Sequence, residues 1–187
     1  ERDKLLDKDL SEYKQVEIQR DIFVFQSLIG CRIGDLYRMT KRNIIDDAIE
    51  YIPRKTKDGN PVTVRVPLND KAKAILEKYK DYTGDKILPF ISEQKYNDAI
   101  KKAFELAEIN RIVTILDPLT NEEVKKPLHE VVSSHMARRT FIGNIYKKVK
   151  YPNLIGAVRG HKEGSKAFNR YREIDEDMKK ELVNLLS

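Results

Sequence analysis

The sequence predicts a mainly α-helical fold with small antiparallel β-hairpins, an architecture of the α+β class. Apolar residues recur at helical spacing along several long segments, as at Ile18, Ile22, Phe25 and Ile29. Over 62–66, by contrast, valine alternates with polar residues, which is typical of a half-buried strand. A chain of 187 residues, 40% of them hydrophobic, is long enough for one domain with a substantial core.

Capping and turn residues mark where the predicted elements begin and end. Gly30 is typical of a helix C-terminus, and the "KDGN" stretch between two apolar runs indicates a hairpin turn. Ser92 and Ser134 each precede an apolar stripe at helical spacing, as N-caps do. The predicted elements are helices over 11–29, 33–38, 70–81 and 93–108, strands over 48–53 and 62–66, an extended hairpin over 111–128, a helix capped by Ser134, a short helix from Pro152 to Gly160, and an amphipathic tail over 175–187.

The composition narrows the classes of function. Lys and Arg total 36 against 30 Asp and Glu, and this net charge of +6 is compatible with binding nucleic acid without requiring it. The single cysteine, Cys31, leaves no intrachain disulfide and fits a reducing compartment. No apolar run reaches transmembrane length and no signal peptide is visible, so we expect a cytoplasmic protein. Three histidines and one cysteine at these spacings predict no metal site, and no cofactor is indicated.

The stretch "SSHMARRTF" places two cations at the start of a predicted helix. His135 and Arg138 are three residues apart, so their side chains can reach one spot, with Arg139 beside them. Free backbone N–H groups and the helix dipole at the same place also favour an anion such as phosphate. Taken alone, however, a solvated basic helix start is the better explanation of the pattern.

Two further stretches carry candidate phosphate-binding groups. In "GCRIGDLYRMT", Arg32 follows a helix end, and Asp35 is in a position to orient its guanidinium. In "TKDG", Lys57 is predicted near a hairpin tip as a proton donor, and Lys55 remains a rival for that role. By themselves, a surface ion pair and an ordinary charged turn are the plainer explanations of these two stretches.

The stretch "VRGHKEGSKAFNRY" places His161 after a glycine and Tyr171 ten residues later. An arginine, a lysine on a hairpin, His-x-x-Arg, Gly-His and a tyrosine, in this order, closely resemble the motifs of the tyrosine recombinases, the phage-type integrases. The resemblance runs from about residue 10 to residue 175. The spacing from His161 to Tyr171 is one residue longer than in common members, which indicates an insertion in the loop.

The resemblance implies the catalytic-domain fold of that family and a set of six catalytic residues with one supporting carboxylate. They are Arg32, Lys57, His135, Arg138, His161 and Tyr171, with Asp35 in support. Tyr171 would attack the scissile phosphate and form a 3′-phosphotyrosine, and His135 would help to remove the phenol proton. The two arginines and His161 would hold the non-bridging oxygens, while Lys57 would protonate the departing 5′ oxygen.

The same resemblance implies a domain organisation and partners. Residues 1–187 would form a single catalytic domain with 175–187 as its C-terminal tail, and the N-terminal core-binding domain usual in the family is not expected within this sequence. The partners would be double-stranded DNA and further copies of the protein, as a tetramer in the full complex of a bacterial or phage-encoded mobile element. Type IB topoisomerase-like relaxation and a non-catalytic DNA-binding protein on the same fold remain alternatives.

Overall fold

The computed structural model of the chain describes residues 1–57 and 61–146. The helices are α1 (Arg2–Asp7), α2 (Lys14–Ile29), α3 (Ile33–Leu36), α4 (Arg54–Lys57), α5 (Asp70–Lys78), α6 (Glu93–Leu106), α7 (Leu128–Val131) and α8 (Ser134–Tyr146). The strands are β1 (Ile44–Ile45), β2 (Ala48–Tyr51), β3 (Val64–Pro67), β4 (Ile112–Leu116) and β5 (Glu123–Pro127). The predicted class, mainly helical with small antiparallel sheets, is confirmed.

Helix α2 is the centre of the core. Every residue from Gln19 to Ile29 is buried, and the helix packs against α5, α6 and α8. Because other elements surround α2 on all sides over this range, its apolar residues are not confined to a single face of the helix. Gly30 ends the helix as predicted, with a φ of 70° and its N–H donating to the Gln26 carbonyl at 2.8 Å.

The predicted first hairpin is confirmed as part of a three-stranded antiparallel sheet in the order β1-β2-β3. The valines of β3 are buried and Arg65 between them is exposed, as the alternation predicts. The strand before the turn is shorter than predicted, because Pro53 cannot donate to the ladder and the chain turns into α4 directly after it. The connection therefore begins with one helical turn over 54–57.

The predicted second hairpin is also confirmed. Strands β4 and β5 pair over five positions, from Ile112 opposite Pro127 to Leu116 opposite Glu123, as a separate two-stranded sheet. One face of this hairpin is exposed along its whole length, since its outward residues in both strands are accessible to solvent.

Of the two predicted N-caps, Ser92 is confirmed. The side chains of Asn69 and Ser92 accept backbone N–H groups at the starts of α5 and α6. The prediction for Ser134 is wrong, because this residue is the first of α8 rather than its cap. Its own N–H donates to the Asn97 side chain at 2.9 Å, so a residue of α6 caps α8 from outside.

Two predicted elements, the helix from Pro152 to Gly160 and the tail over 175–187, lie outside the described residues. Within the described ranges, none of the helices is both long and apolar enough to cross a membrane.

Candidate catalytic site

Arg138 is held against the backbone of the loop that carries Arg32, where α8 packs against α2. Arg138 is 4% exposed, and its Nη1 donates to the carbonyl of Gly30 at 2.6 Å. Gly30 is two residues before Arg32, which forms the N-cap of α3 and is half-buried. A direct hydrogen bond from one predicted phosphate-binding residue therefore holds the loop that carries the other.

Buried amide and phenol groups fix the same loop from its other side. Gln26 donates to the carbonyl of Cys31 at 3.2 Å, and the phenol of Tyr96 donates to the Gln26 side-chain oxygen at 3.1 Å. All of these groups are buried, and buried polar groups that are fully paired favour one geometry over others. The backbone on both sides of Cys31 is thus held before any substrate arrives.

Glycine is required at position 30 for two reasons. Its φ of 70° is in the left-handed region, which side chains with a Cβ rarely adopt. A Cβ at this position would also overlap the ring of Phe141, one turn after Arg138 on α8. The close approach of the Phe141 ring to the backbone is what brings α8 near enough for the Arg138 hydrogen bond.

Tyr51, the last residue of β2, is buried within the electrostatic influence of both predicted arginines. Burial raises the pKa of its phenol, while the positive charges of Arg138 and Arg32 act in the opposite direction. Burial likewise raises the pKa of the Cys31 thiol against the charge of Arg138. Both guanidinium groups therefore act on one side chain, which sequence reasoning did not select; its only signal was an inward position in a strand.

The start of α8 presents His135 and Arg138 differently. His135 is exposed in the first turn, whereas Arg138 is buried one turn later, and Arg139 is exposed beside it. The helix has 13 residues, so its N-terminal N–H groups and dipole add to the positive field around His135. His135 is therefore accessible from solvent, whereas Arg138 is held inside the protein by its hydrogen bond to the Gly30 carbonyl.

Asp35 is buried as expected of a supporting carboxylate, but its partners differ from the prediction. Within the described residues, its Oδ1 accepts from Arg38 Nη2 at 2.7 Å and from the backbone N–H of Arg54 at 2.9 Å, rather than from Arg32. Arg32 precedes the turn of α3 while Arg38 follows it, and only Arg38 lies where its guanidinium reaches the carboxylate. Arg32 and Arg38 are each three residues from Asp35, so their spacing in the sequence could not decide between them.

The predicted lysines lie on the connection between β2 and β3. Lys57 is the last residue of α4, and Lys55 is exposed in the same turn. The site prediction for Lys57 thus falls on a segment that follows Pro53 and begins at the N–H held by Asp35. The other two predicted residues, His161 and Tyr171, lie outside the described residues.

Among residues 1–57 and 61–146, no group of three or more His, Cys, Asp or Glu side chains is arranged to hold a metal ion.

Comparison with known proteins gives one curated relative and several structural neighbours. The chain is 25% identical to the probable integrase of prophage ps2 from Lactococcus lactis subsp. lactis (strain IL1403), over 87% of this chain and 47% of that protein. No protein-family model matches. The chain thus spans less than half the length of the curated relative.

The structural neighbours agree with this relative. The crystal structure of XerA recombinase matches with a TM-score of 0.65 and 14% identity, covering 98% of this chain and 62% of that one. A lambda integrase tetramer bound to a Holliday junction matches with a TM-score of 0.59 and 18% identity, covering 92% of this chain and 46% of that one.

The chain has the fold of a tyrosine recombinase catalytic domain. The resemblance to the tyrosine recombinases that the ordered motifs indicate is confirmed, both by a prophage integrase in sequence and by recombinases in structure.

Proposed function

We propose that this chain is the catalytic part of a site-specific DNA recombinase or integrase that cleaves and rejoins DNA through a 3′-phosphotyrosine. The observation that carries the proposal is the hydrogen bond from Arg138 to the Gly30 carbonyl, because it ties one predicted phosphate-binding residue to the loop that carries the other, Arg32. The integrase and recombinase names of the relatives support the same activity.

The proposed reaction has two reversible steps. The Tyr171 phenol oxygen attacks the scissile phosphorus, the bond to the 5′ oxygen breaks, and Lys57 supplies that oxygen with a proton. His135 accepts the phenol proton, which is held with a pKa of about 10 in an unperturbed tyrosine. In the second step a 5′ hydroxyl attacks the phosphotyrosine and releases Tyr171. The bond energy is conserved in the phosphotyrosine, so no nucleoside triphosphate is consumed.

Positive side chains provide the stabilisation of the transition state. Arg32 and Arg138 would each donate to a non-bridging oxygen, and His161 would add a further donor. A preorganised donor of this kind contributes roughly 3 kcal/mol where it has been removed from other active sites. The buried position of Arg138 supports such preorganisation, because its geometry is set by protein contacts before DNA binds.

The proposal includes the partners and the setting. The substrate is double-stranded DNA, and the protein assembles on it as a tetramer; the lambda integrase neighbour is itself a tetramer bound to a Holliday junction. Residues 1–187 act as one catalytic domain, and the tail over 175–187 buries its apolar face on this or a neighbouring protomer. The protein would act in the cytoplasm, at the nucleoid, on behalf of a mobile element.

Covalent capture on a nicked DNA duplex tests the proposal. The wild-type protein should form a protein–DNA adduct that survives denaturation, and Tyr171→Phe should bind the same DNA without forming any. An adduct with Tyr171→Phe would show that another residue is the nucleophile. No adduct with either protein, despite binding, would instead favour a non-catalytic DNA-binding protein.

Strand transfer separates recombination from the topoisomerase-like alternative. A recombinase should join strands between two duplexes, whereas a relaxing enzyme reseals only the strand that it cut. The names of the relatives favour transfer.

A further inference from the structure

A buried carboxylate connects α3, which follows Arg32, to α4, which carries the predicted lysines. The side chain of Asp35 is 3% exposed and forms an ion pair with Arg38 at 2.7 Å. The same oxygen accepts the backbone N–H of Arg54 at 2.9 Å. Burying a carboxylate is costly unless charges and hydrogen bonds compensate it, so both partners are needed to hold Asp35 at this place.

The Arg54 contact determines where the lysine-bearing turn begins. Arg54 is the first residue of α4, which comprises a single turn and carries both Lys55 and Lys57. An isolated helical turn is unfavourable, because several backbone torsions are fixed for one hydrogen bond. The hydrogen bond that its first N–H donates to the buried Asp35 carboxylate therefore anchors the turn to α3, which begins directly after Arg32.

The Arg38 contact keeps the carboxylate in position. Arg38 also donates through Nε to the carbonyl of Gly34 at 3.2 Å, so its guanidinium is held at two points. Its side chain is 44% exposed and faces a cavity of about 160 Å³ that Asn43 and Tyr51 also line. The Arg38 guanidinium thus neutralises the Asp35 carboxylate from the solvent side. The backbone N–H of Arg54 donates to the same carboxylate from the protein side.

We propose that Asp35 is a positioning residue for the general-acid lysine rather than for Arg32. The inference rests on the proposed function and concerns one step of it, protonation of the departing 5′ oxygen. Loss of the Asp35–Arg54 hydrogen bond would displace α4, and a displacement of about 1 Å in a reacting group can cost about 10²-fold in rate. The phosphate-binding Arg32 and Arg138 would keep their places, because the Arg138–Gly30 hydrogen bond does not involve Asp35.

The test uses two DNA substrates, one with a normal phosphodiester and one with a 5′-bridging phosphorothiolate at the cleavage point. The sulfur leaves without a proton, so cleavage of the second substrate does not depend on a general acid. In the full-length protein, Asp35→Ala should cleave the normal substrate about 10²-fold more slowly than wild type, and the phosphorothiolate should restore most of the loss. Arg32→Ala should be slow on both substrates.

A matched pair at position 54 isolates the hydrogen bond without removing the buried charge. Arg54→Pro deletes the N–H while keeping a residue that the first position of a helix accepts, and Arg54→Ala keeps the N–H and removes only the exposed side chain. We expect Arg54→Pro to behave as Asp35→Ala does, including rescue by the phosphorothiolate, and Arg54→Ala to cleave both substrates as wild type does. This pair also provides the test if Asp35→Ala does not fold.

Different outcomes overturn different conclusions. Equal slowing of Asp35→Ala and Arg54→Pro on both substrates would overturn the inference, because the defect would then lie in phosphate binding or in the fold. Wild-type rates for Arg54→Pro on the normal substrate would overturn it as well. A wild-type protein that forms no adduct on either substrate would overturn the proposed function and the inference with it.

Discussion

The junction around Gly30 and the β4–β5 hairpin use apolar side chains in opposite ways. At the junction, Phe141 packs directly on the Gly30 backbone and is 6% exposed. On the hairpin, Ile112 and Leu116 are each 62% exposed and Leu119 is 92% exposed. The first region thus gains stability from its apolar groups, whereas the second leaves several large apolar side chains in water.

The difference shows which part of the fold sets the site. Packing at the junction places Arg138 and the loop before Arg32, so a small change there should alter both stability and chemistry. The exposed face of the hairpin fixes none of the proposed catalytic residues among those described. Substitutions in the two regions should therefore differ sharply in effect.

The largest effect is expected for Gly30→Ala. The left-handed φ costs a residue with a Cβ about 1–2 kcal/mol, and overlap with the Phe141 ring adds about 1–3 kcal/mol. We expect a loss of about 2–5 kcal/mol in the free energy of unfolding, measured by urea titration. Gly143→Ala is the matched control on α8, because a Cβ there meets no atom within 4 Å; it should be neutral or slightly stabilising. Equal losses in both variants would contradict the role of Gly30.

The second effect concerns catalysis rather than folding. Arg138→Lys keeps the charge but loses the planar fork that donates to Gly30 and to a phosphate oxygen. The rate of adduct formation should fall about 10²-fold. The free energy of unfolding should change much less than in Gly30→Ala. Arg139→Lys, at the exposed neighbouring position, should retain the wild-type rate. A wild-type rate for Arg138→Lys would mean that the buried guanidinium serves the fold alone.

Sequence patterns predicted the fold well where local chemistry decides it. The long apolar periodicity of α2, the Gly30 stop and the alternation in β3 each depend on neighbouring residues, and all are confirmed. The start of α8 was misplaced because its cap comes from Asn97, 37 residues away. Asp35 likewise pairs with Arg38 rather than with Arg32 because of how the chain turns after α3, and residue spacing alone does not determine that turn.

The third effect is a loss of stability in alkali. Burial raises the pKa of the Cys31 thiol, and burial with the nearby charge of Glu93 raises that of the Tyr37 phenol to about 12. In the unfolded chain these acids ionise near their ordinary values of about 8.5 and about 10, so the unfolded state loses protons first. Stability should be fully present below about pH 8 and fall as pH rises above it.

Urea titrations across this pH range measure the loss. A group that ionises in the unfolded chain but stays protonated in the folded protein lowers the free energy of unfolding. The loss is at most about 1.4 kcal/mol for each pH unit above the group's pKa in the unfolded chain. Cys31→Ala should remove the part of the decline that begins near pH 8.5 and leave the part that begins near pH 10. A decline that is unchanged in Cys31→Ala would contradict a neutral thiol in the folded protein. Rapid alkylation of native Cys31 would do so too, since a buried thiol reacts only after opening.

The smallest effect is expected on the hairpin. Leu119 is 92% exposed at its tip, whereas Leu128, directly after β5, is 1% exposed. Leu119→Ser should change the unfolding free energy by less than about 0.5 kcal/mol, because the leucine removes almost no surface from water. Leu128→Ser makes the same chemical change in the core and should cost at least about 2–5 kcal/mol, the range for truncating a buried leucine. If Leu119→Ser destabilises the protein as much as Leu128→Ser, the hairpin tip must be buried in solution, and the contrast between the two regions would be wrong.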